Sequence, residues 1–343
     1  MCFMTNREGF AIWQYGLMAA ATALTMLLCI CLGSVSVPLR DVLPALWAGI
    51  WDSSQTAAQP IIFTIRMPRV LCAALMGASL SLCGGAMQGL LRNPLAEGAT
   101  LGVSSGAALG AALAIAFGIT VPGLPKTGSM AMAILFAFLS MLLILSLAYR
   151  LDYSFSTNTI ILIGVIFSMF ASSLISLVVT FAGEKANHVL FWTMGSLAST
   201  NYFDVLTLAV TLLVCGAALL RHVRELNAFA ISEDNARHIG INVRRIKLIV
   251  LIAVSTLIGV CVSIGGTIGF VGLVIPHMAR MITGPNHKRL LPASLFAGAV
   301  FLMLADLVGR TLLSPRELPI GVVTSIVGAV VFVGIFYSTR KVR

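Results

Sequence analysis

A chain of 343 residues that is 59% hydrophobic and 10% charged, with a mean hydropathy of +1.01, does not have the composition of a soluble domain. Its net charge of +10 rests on few ionisable groups, so it reports membrane topology and excludes a nucleic-acid footprint. An all-α, polytopic membrane protein is what remains.

Charge-free runs of about 20 apolar residues mark the spans. Ala11–Gly33 reads as the first; the apolar run is too long for a cleaved signal and lacks a small-x-small exit. Val37–Gln59 carries Pro38, Pro44, Trp47 and Trp51 and suits an interfacial segment. Arg66 and Arg69 flank Pro68 at the entrance to a second span, Val70–Leu91, which Arg92-Asn93-Pro94 breaks. Glu97 and Gly98 precede a third, Leu101–Ile119, dense in small residues that allow close helix contacts. Val121–Gly128 reads as a turn, Ser129–Tyr149 as the fourth span, Arg150–Ser156 as a polar turn and Thr157–Phe181 as the fifth span. Gly183–Thr200 is mixed in character, an external connection with room for a short helix, and Phe203–Leu220 is the sixth span. Leu248–Ala279 is long for one helix and short for two. Gly265-Gly266 and Gly269 divide it into a seventh helix, Leu248–Ile264, and a short eighth ending near Met281 with Pro276 inside. Gly284–Arg289 is a turn, Leu290–Leu312 the ninth span, Ser314–Pro319 a turn and Ile320–Tyr337 the tenth.

Ten spans place both termini on one side. With the termini inside, about two-thirds of the 22 Lys and Arg residues face the cytoplasm, as the positive-inside rule favours. Arg40, Arg66, Arg69, Lys126, Lys185, Arg310 and Arg316 then face outward. Of seven cysteines only Cys2 lies outside the apolar runs, so small apolar packing is expected rather than disulfides or zinc. Gly84-Gly85 and Gly265-Gly266 form a weak internal echo, on helices that run in opposite directions as an inverted repeat requires.

The longest strongly polar island is Asn227–Lys247, cytoplasmic in this topology. Ser232 can cap a short helix with Glu233 and Asp234 in its first turn, where the helix dipole favours anions. Ile231 and Ala236 stand where a hydrophobic staple would form, and Gly240 where a left-handed stop would fall. Asn242 can cap a second helix through Arg244, Arg245 and Lys247. Such a helix–Gly–helix elbow is either a contact surface or an ordinary solvated connection.

Motifs for hydrolytic, zinc or nucleotide chemistry are missing; Gly-Lys never occurs, so there is no phosphate-binding loop. If ATP drives this protein, another chain binds it. Asp306 and His277 are the clearest ionisable groups in the spans, and Asp306 has Arg310 one turn away, which favours a local ion pair over a coupling carboxylate. An ion-gradient-driven secondary carrier is therefore the weaker reading, beside a membrane receptor without transport.

Several blocks resemble the FecCD-type permeases, the membrane subunits of ABC importers for ferric siderophores, haem and cobalamin. They are Arg66-Met67-Pro68-Arg69, Gly85-Ala86-Met87-Gln88-Gly89, Arg92-Asn93-Pro94-Leu95-Ala96, Leu101–Ala107, Gly265–Arg280 and Glu317–Val322, in family order across most of the chain. The resemblance implies one transmembrane domain, residues 1–343, with ten helices and the type II ABC importer permease fold. It implies a pair of permease subunits, as a homodimer, around a central path in the bacterial inner membrane. Two ATPase subunits would sit below and a periplasmic or lipid-tethered binding protein outside. The chain itself would be no enzyme and hold no cofactor or metal. Residues 227–247 match the family's coupling loop, which assigns ATPase contact to Ser232, Glu233, Ala236, Arg237, Ile239 and Gly240. Arg66, Arg69 and Arg310 match positions that meet acidic residues of the binding protein. Thr157 and Asn158 fall where the path narrows towards the cytoplasm. His277 is expected to be packed rather than a haem ligand, and ferric siderophore is the favoured cargo.

Overall fold

The computed structural model describes residues 9–33, 60–120, 127–152 and 156–341. The interfacial segment expected at Val37–Gln59 lies outside them, as do most of the turn expected at Val121–Gly128 and the middle of that at Arg150–Ser156. The described residues are helical, without strands.

In chain order the helices are α1 (Ile12–Cys31), α2 (Met67–Leu90, preceded by a wide turn over Ile61–Arg66), α3 (Val103–Phe117), α4 (Thr127–Leu151) and α5 (Thr157–Phe181). Then follow α6 (Ala186–Thr193), α7 (Tyr202–Arg221), α8 (Val223–Ile231) and α9 (Glu233–His238). The chain ends with α10 (Val243–Gly265), α11 (Val271–Thr283), α12 (His287–Thr311) and α13 (Ile320–Lys341). Among the described residues seven segments are long and apolar enough to cross a membrane, including the continuous Ile61–Leu90; α3, α11 and the stretch Ile320–Ile335 of α13 are shorter apolar helices.

α2 starts well before the Val70 expected from sequence. The helical path runs on from Ile61, its wide turn falling just before Pro68, which lacks an N–H to donate, and the two arginines that look like breaks find acceptors inside the protein. α2 and α10 are the central helices, buried along most of their length, whereas α1, α4, α5 and α7 expose long rows of Leu, Ile, Val and Phe as lipid-facing helices do. Small residues set the closest contacts. A Cβ on Gly84 would collide with the Gly272 carbonyl, and one on Gly77 with that of Gly298, so α2 packs backbone-to-backbone on α11 and α12. Gly106 and Gly110 do the same for α3 against α4.

The echo of Gly-Gly pairs dissolves into different tasks. Gly84-Gly85 lies inside α2 at a helix crossing, while Gly265-Gly266 ends α10, Gly266 taking a positive φ of 71° that favours glycine. At that break three stretches of non-helical backbone satisfy one another. Ser196 N donates to Gly265 O, Thr267 Oγ1 to Thr193 O, Ile320 N to Gly195 O and Gly321 N to Met194 O. Irregular backbone is tolerated inside a bilayer only where protein buries it or a cavity receives it. α11, at about 20 Å, is shorter than the hydrocarbon core of a bilayer, and the break adjoins its start.

Contacts sort the helix ends into two groups. One gathers Gly9 beside Lys288, Arg244 over the Tyr149 ring at 4.7 Å, Thr157 with Glu233, and Asn227 with the α11–α12 turn. The other gathers Cys31 with Arg66, Ala116 with Lys185, and Arg69 with Glu317.

Candidate functional site

The polar island folds as three helices rather than two. α7 stops at His222, and α8 follows at once, a helix absent from the sequence reading. Ser232 then caps α9, its Oγ accepting from Asn235 N at 2.9 Å, with Glu233 and Asp234 in the first turn. Gly240 is left-handed at φ 85°, and Asn242 caps α10 by accepting from Arg245 N at 3.0 Å. The staple does not form: Ala236 is fully buried while Ile231 is exposed, as is Ile239. Arg237 is half-exposed and lies 4.0 Å from Asp234, a loose surface pair. The named island residues thus divide. Ala236 and Glu233 anchor α9 inward, whereas Arg237 on α9, Ile239 and Gly240 just after it, and Ile231 at the end of α8 face outward.

Two anchors hold the island to the spans. Asn227 on α8 donates to Asn286 Oδ1 at 2.9 Å and accepts from His287 N at 2.8 Å, tying α8 to the start of α12. Glu233 Oε1 accepts from Lys247 Nζ at 2.5 Å and from Thr157 Oγ1 at 3.1 Å. Thr157 and Asn158, placed by the cap of Ser156 on α5, therefore adjoin the island. They line a polar cavity of about 430 Å³ with Arg92, Ser232, Glu233 and Asp234.

A second cavity, of about 470 Å³, lies where α2, α3, α6, α10, α11 and α13 meet, beside the backbone break. Thr193, Thr267, Ser104, Ser325 and Glu97 give it polar groups. Glu97, passed over in sequence as a residue merely preceding α3, is carried inward until its Cβ nears Gly272. Its carboxylate accepts from the N–H of Phe270, one of two non-glycine residues among those described with positive φ. Burial pushes the Glu97 carboxyl above its ordinary value, and the Phe270 N–H offsets part of that. A short loop between two apolar runs gives no sequence signal of such depth. On the same helix, His277 packs its ring against Phe332 at 6.1 Å, and Arg280 reaches Gln88 Oε1 at 3.2 Å.

The outer arginines do not project outward. Arg66, Arg69 and Arg310 are all buried. Arg69 donates from Nε to both oxygens of Asp306, at 2.9 and 3.2 Å, and from Nη1 to Glu317 at 2.9 and 3.0 Å. Arg310 Nε lies 3.3 Å from Asp306 Oδ2, an ion pair without hydrogen-bond alignment, and its Nη2 donates to Cys29 O at 2.6 Å. Arg66 Nη1 donates to Ile30 O at 2.6 Å and Cys31 O at 3.0 Å. The last carbonyls of α1, which no helical N–H can reach, are thus met by guanidinium groups. The local Asp306–Arg310 pair expected from spacing is present, but Arg69 is the better-aligned partner of Asp306.

Residues 21–338 match the model of the FecCD transport family. The chain is 40% identical to an uncharacterised ABC transporter permease protein, YvrB, of Bacillus subtilis, over 90% of this chain and 89% of that one. It is 35% identical to MolB, a molybdate import system permease protein of Haemophilus influenzae, over 93% of each. A solved metal-chelate type ABC transporter in an inward-facing conformation superposes with a TM-score of 0.84 at 32% identity, over 96% of this chain and all of that one. Further relatives carry the names of permeases for cobalamin in Halobacterium salinarum, hemin in Yersinia pestis and iron chelatin in Helicobacter pylori. The chain is a multi-pass membrane protein and belongs to the FecCD transport family.

Proposed function

We propose that this chain is the permease subunit of an ATP-binding-cassette importer that brings a metal chelate, ferric siderophore first among candidates and haem or cobalamin next, into the cytoplasm. The observation that carries the reading is family similarity along nearly the whole chain, shared with permeases named for hemin, cobalamin and iron chelatin. The molybdate relative widens the cargo to small oxyanions. Ten crossings, the seven long segments together with α3, α11 and α13, put both termini in the cytoplasm of the bacterial inner membrane. A second copy pairs with this one, and the path runs past the Glu97 cavity to Thr157 and Asn158.

ATP is bound and hydrolysed by a separate pair of subunits, which seat on the outer face of α9 around Arg237, Ile239 and Gly240. Two exposed isoleucines flank α9, Ile231 at the end of α8 and Ile239 just after α9, and support a partner there, since an apolar patch in water favours cover. On the opposite rim a binding protein docks. Of the three arginines proposed for it, Arg69 has a partner that solvent reaches, because Glu317 is half-exposed, so an incoming carboxylate competes with Glu317 for Arg69. Arg66 and Arg310 contribute by holding α1.

The test is reconstitution of the permease with its ATPase and binding protein in proteoliposomes. Uptake of one chelate that needs ATP and both partners is the expected result. Uptake driven by an ion gradient without any ATPase would overturn the reading in favour of a secondary carrier, for which Glu97 is the carboxylate to test.

A further inference from the structure

Glu233 and Thr157 lie 76 positions apart and belong to different parts of the fold, one on α9 of the island and the other at the first turn of α5. A single carboxylate oxygen, Glu233 Oε1, receives both Thr157 Oγ1 at 3.1 Å and Lys247 Nζ at 2.5 Å. Three helices therefore meet on one atom. Its two bonds are unequal. Lys247 is fully buried near the start of α10, and the Glu233 side chain is one-fifth exposed, so separating the ammonium from the carboxylate would strand a charge away from water. The threonine bond is longer, its donor is neutral, and it borders the polar cavity, where water can replace either partner.

We infer that Glu233 is a coupling relay. The Lys247 ammonium is the positioning group that clamps the carboxylate, and with it α9, to α10; the Thr157 hydroxyl is the releasable contact through which α9 holds or frees the inner end of α5. A push on the exposed face of α9 then changes the position of Thr157 and Asn158 without unfolding the island. The inference rests on the proposed ATP-driven permease and adds the atoms that pass the motion on.

The test uses the complete permease with its ATPase partner in membranes, and Asn158→Cys, an exposed position lining the cavity, as the reporter. Labelling by a charged maleimide is compared with and without Mg-ATP plus vanadate, after subtraction of the parent protein without the reporter. In the otherwise native protein the nucleotide should change the labelling rate at least about fivefold. Thr157→Val should reduce that change to less than about twofold, and Thr157→Ser, which restores the hydroxyl, should return it. The double variant Glu233→Met with Lys247→Met removes acceptor and ammonium together and leaves no stranded charge. It should also lose the response while co-purifying with normal amounts of ATPase. A full response in Thr157→Val, or in the double variant, overturns the relay and leaves the importer reading standing. An absent response in the native complex overturns the importer reading, and the relay with it.

Discussion

Replacing Arg69 by Gln separates a structural role from a docking role. Arg69 fills Asp306 with two hydrogen bonds and Glu317 with two more, and its side chain is 9% exposed against 2% for Asp306. Removing one partner of a buried pair costs about 3–5 kcal/mol, because the other charge stays behind unsolvated. Arg310 remains 3.3 Å from Asp306, so the lower end applies, about 3 kcal/mol. That is roughly a hundredfold in the folded-to-unfolded ratio, and a fall in melting temperature of about 4 °C for a chain of this size. Arg69→Lys should fall between, because one ammonium cannot serve two carboxylates as a fork does. The assay is thermal unfolding of the purified protein in detergent, with Arg316→Gln, an exposed position on the same rim, as the control. If Arg69→Gln melts with the parent while binding-protein affinity falls, Arg69 is free for an outside partner and the buried network described here is wrong.

Three further outcomes are expected. Gly84→Ala should prevent α2 from seating on α11 and abolish the folded protein, whereas Gly16→Ala, within α1, meets nothing within 4 Å and should leave the fold intact; yields of monodisperse protein decide between them. Gly240→Pro cannot adopt φ 85°, and Ala236→Pro loses the bond from its N–H to Ser232 O at a cost of about 3 kcal/mol or more. Both should insert normally and lose ATP-driven uptake, and wild-type uptake in either would reduce the island to a connector. Single cysteines at Lys185 and Arg316 should react with an impermeant reagent from outside the cell, and those at Arg237 and Lys288 should not; outside reaction at Arg237 would invert the topology.

The helices were legible because a bilayer forces the matter: backbone polar groups must be satisfied within each segment, so apolar runs of one helix length announce themselves. The caps at Ser232 and Asn242 and the left-handed Gly240 were legible for a similar reason, since each is decided within four residues. What lies across the sequence was not. The sequence places Asp306 beside Arg310, but only the folded chain brings Arg69 to it from 237 positions away, and that contact joins two apparent surface cations in a buried network. The start of α2 was misread for the same reason, because a charge looks like a helix end until its partner is known. Thr157 and Glu233, Asn227 and Asn286, and the bond from the Phe270 N–H to Glu97 likewise depend on which helices become neighbours. Local chemistry determined where the apolar runs fall and how α9 and α10 are capped. Packing of small residues between α2, α11 and α12 decided which charges meet, because a salt bridge has a range of a few ångströms and no sequence spacing supplies that distance between separate helices.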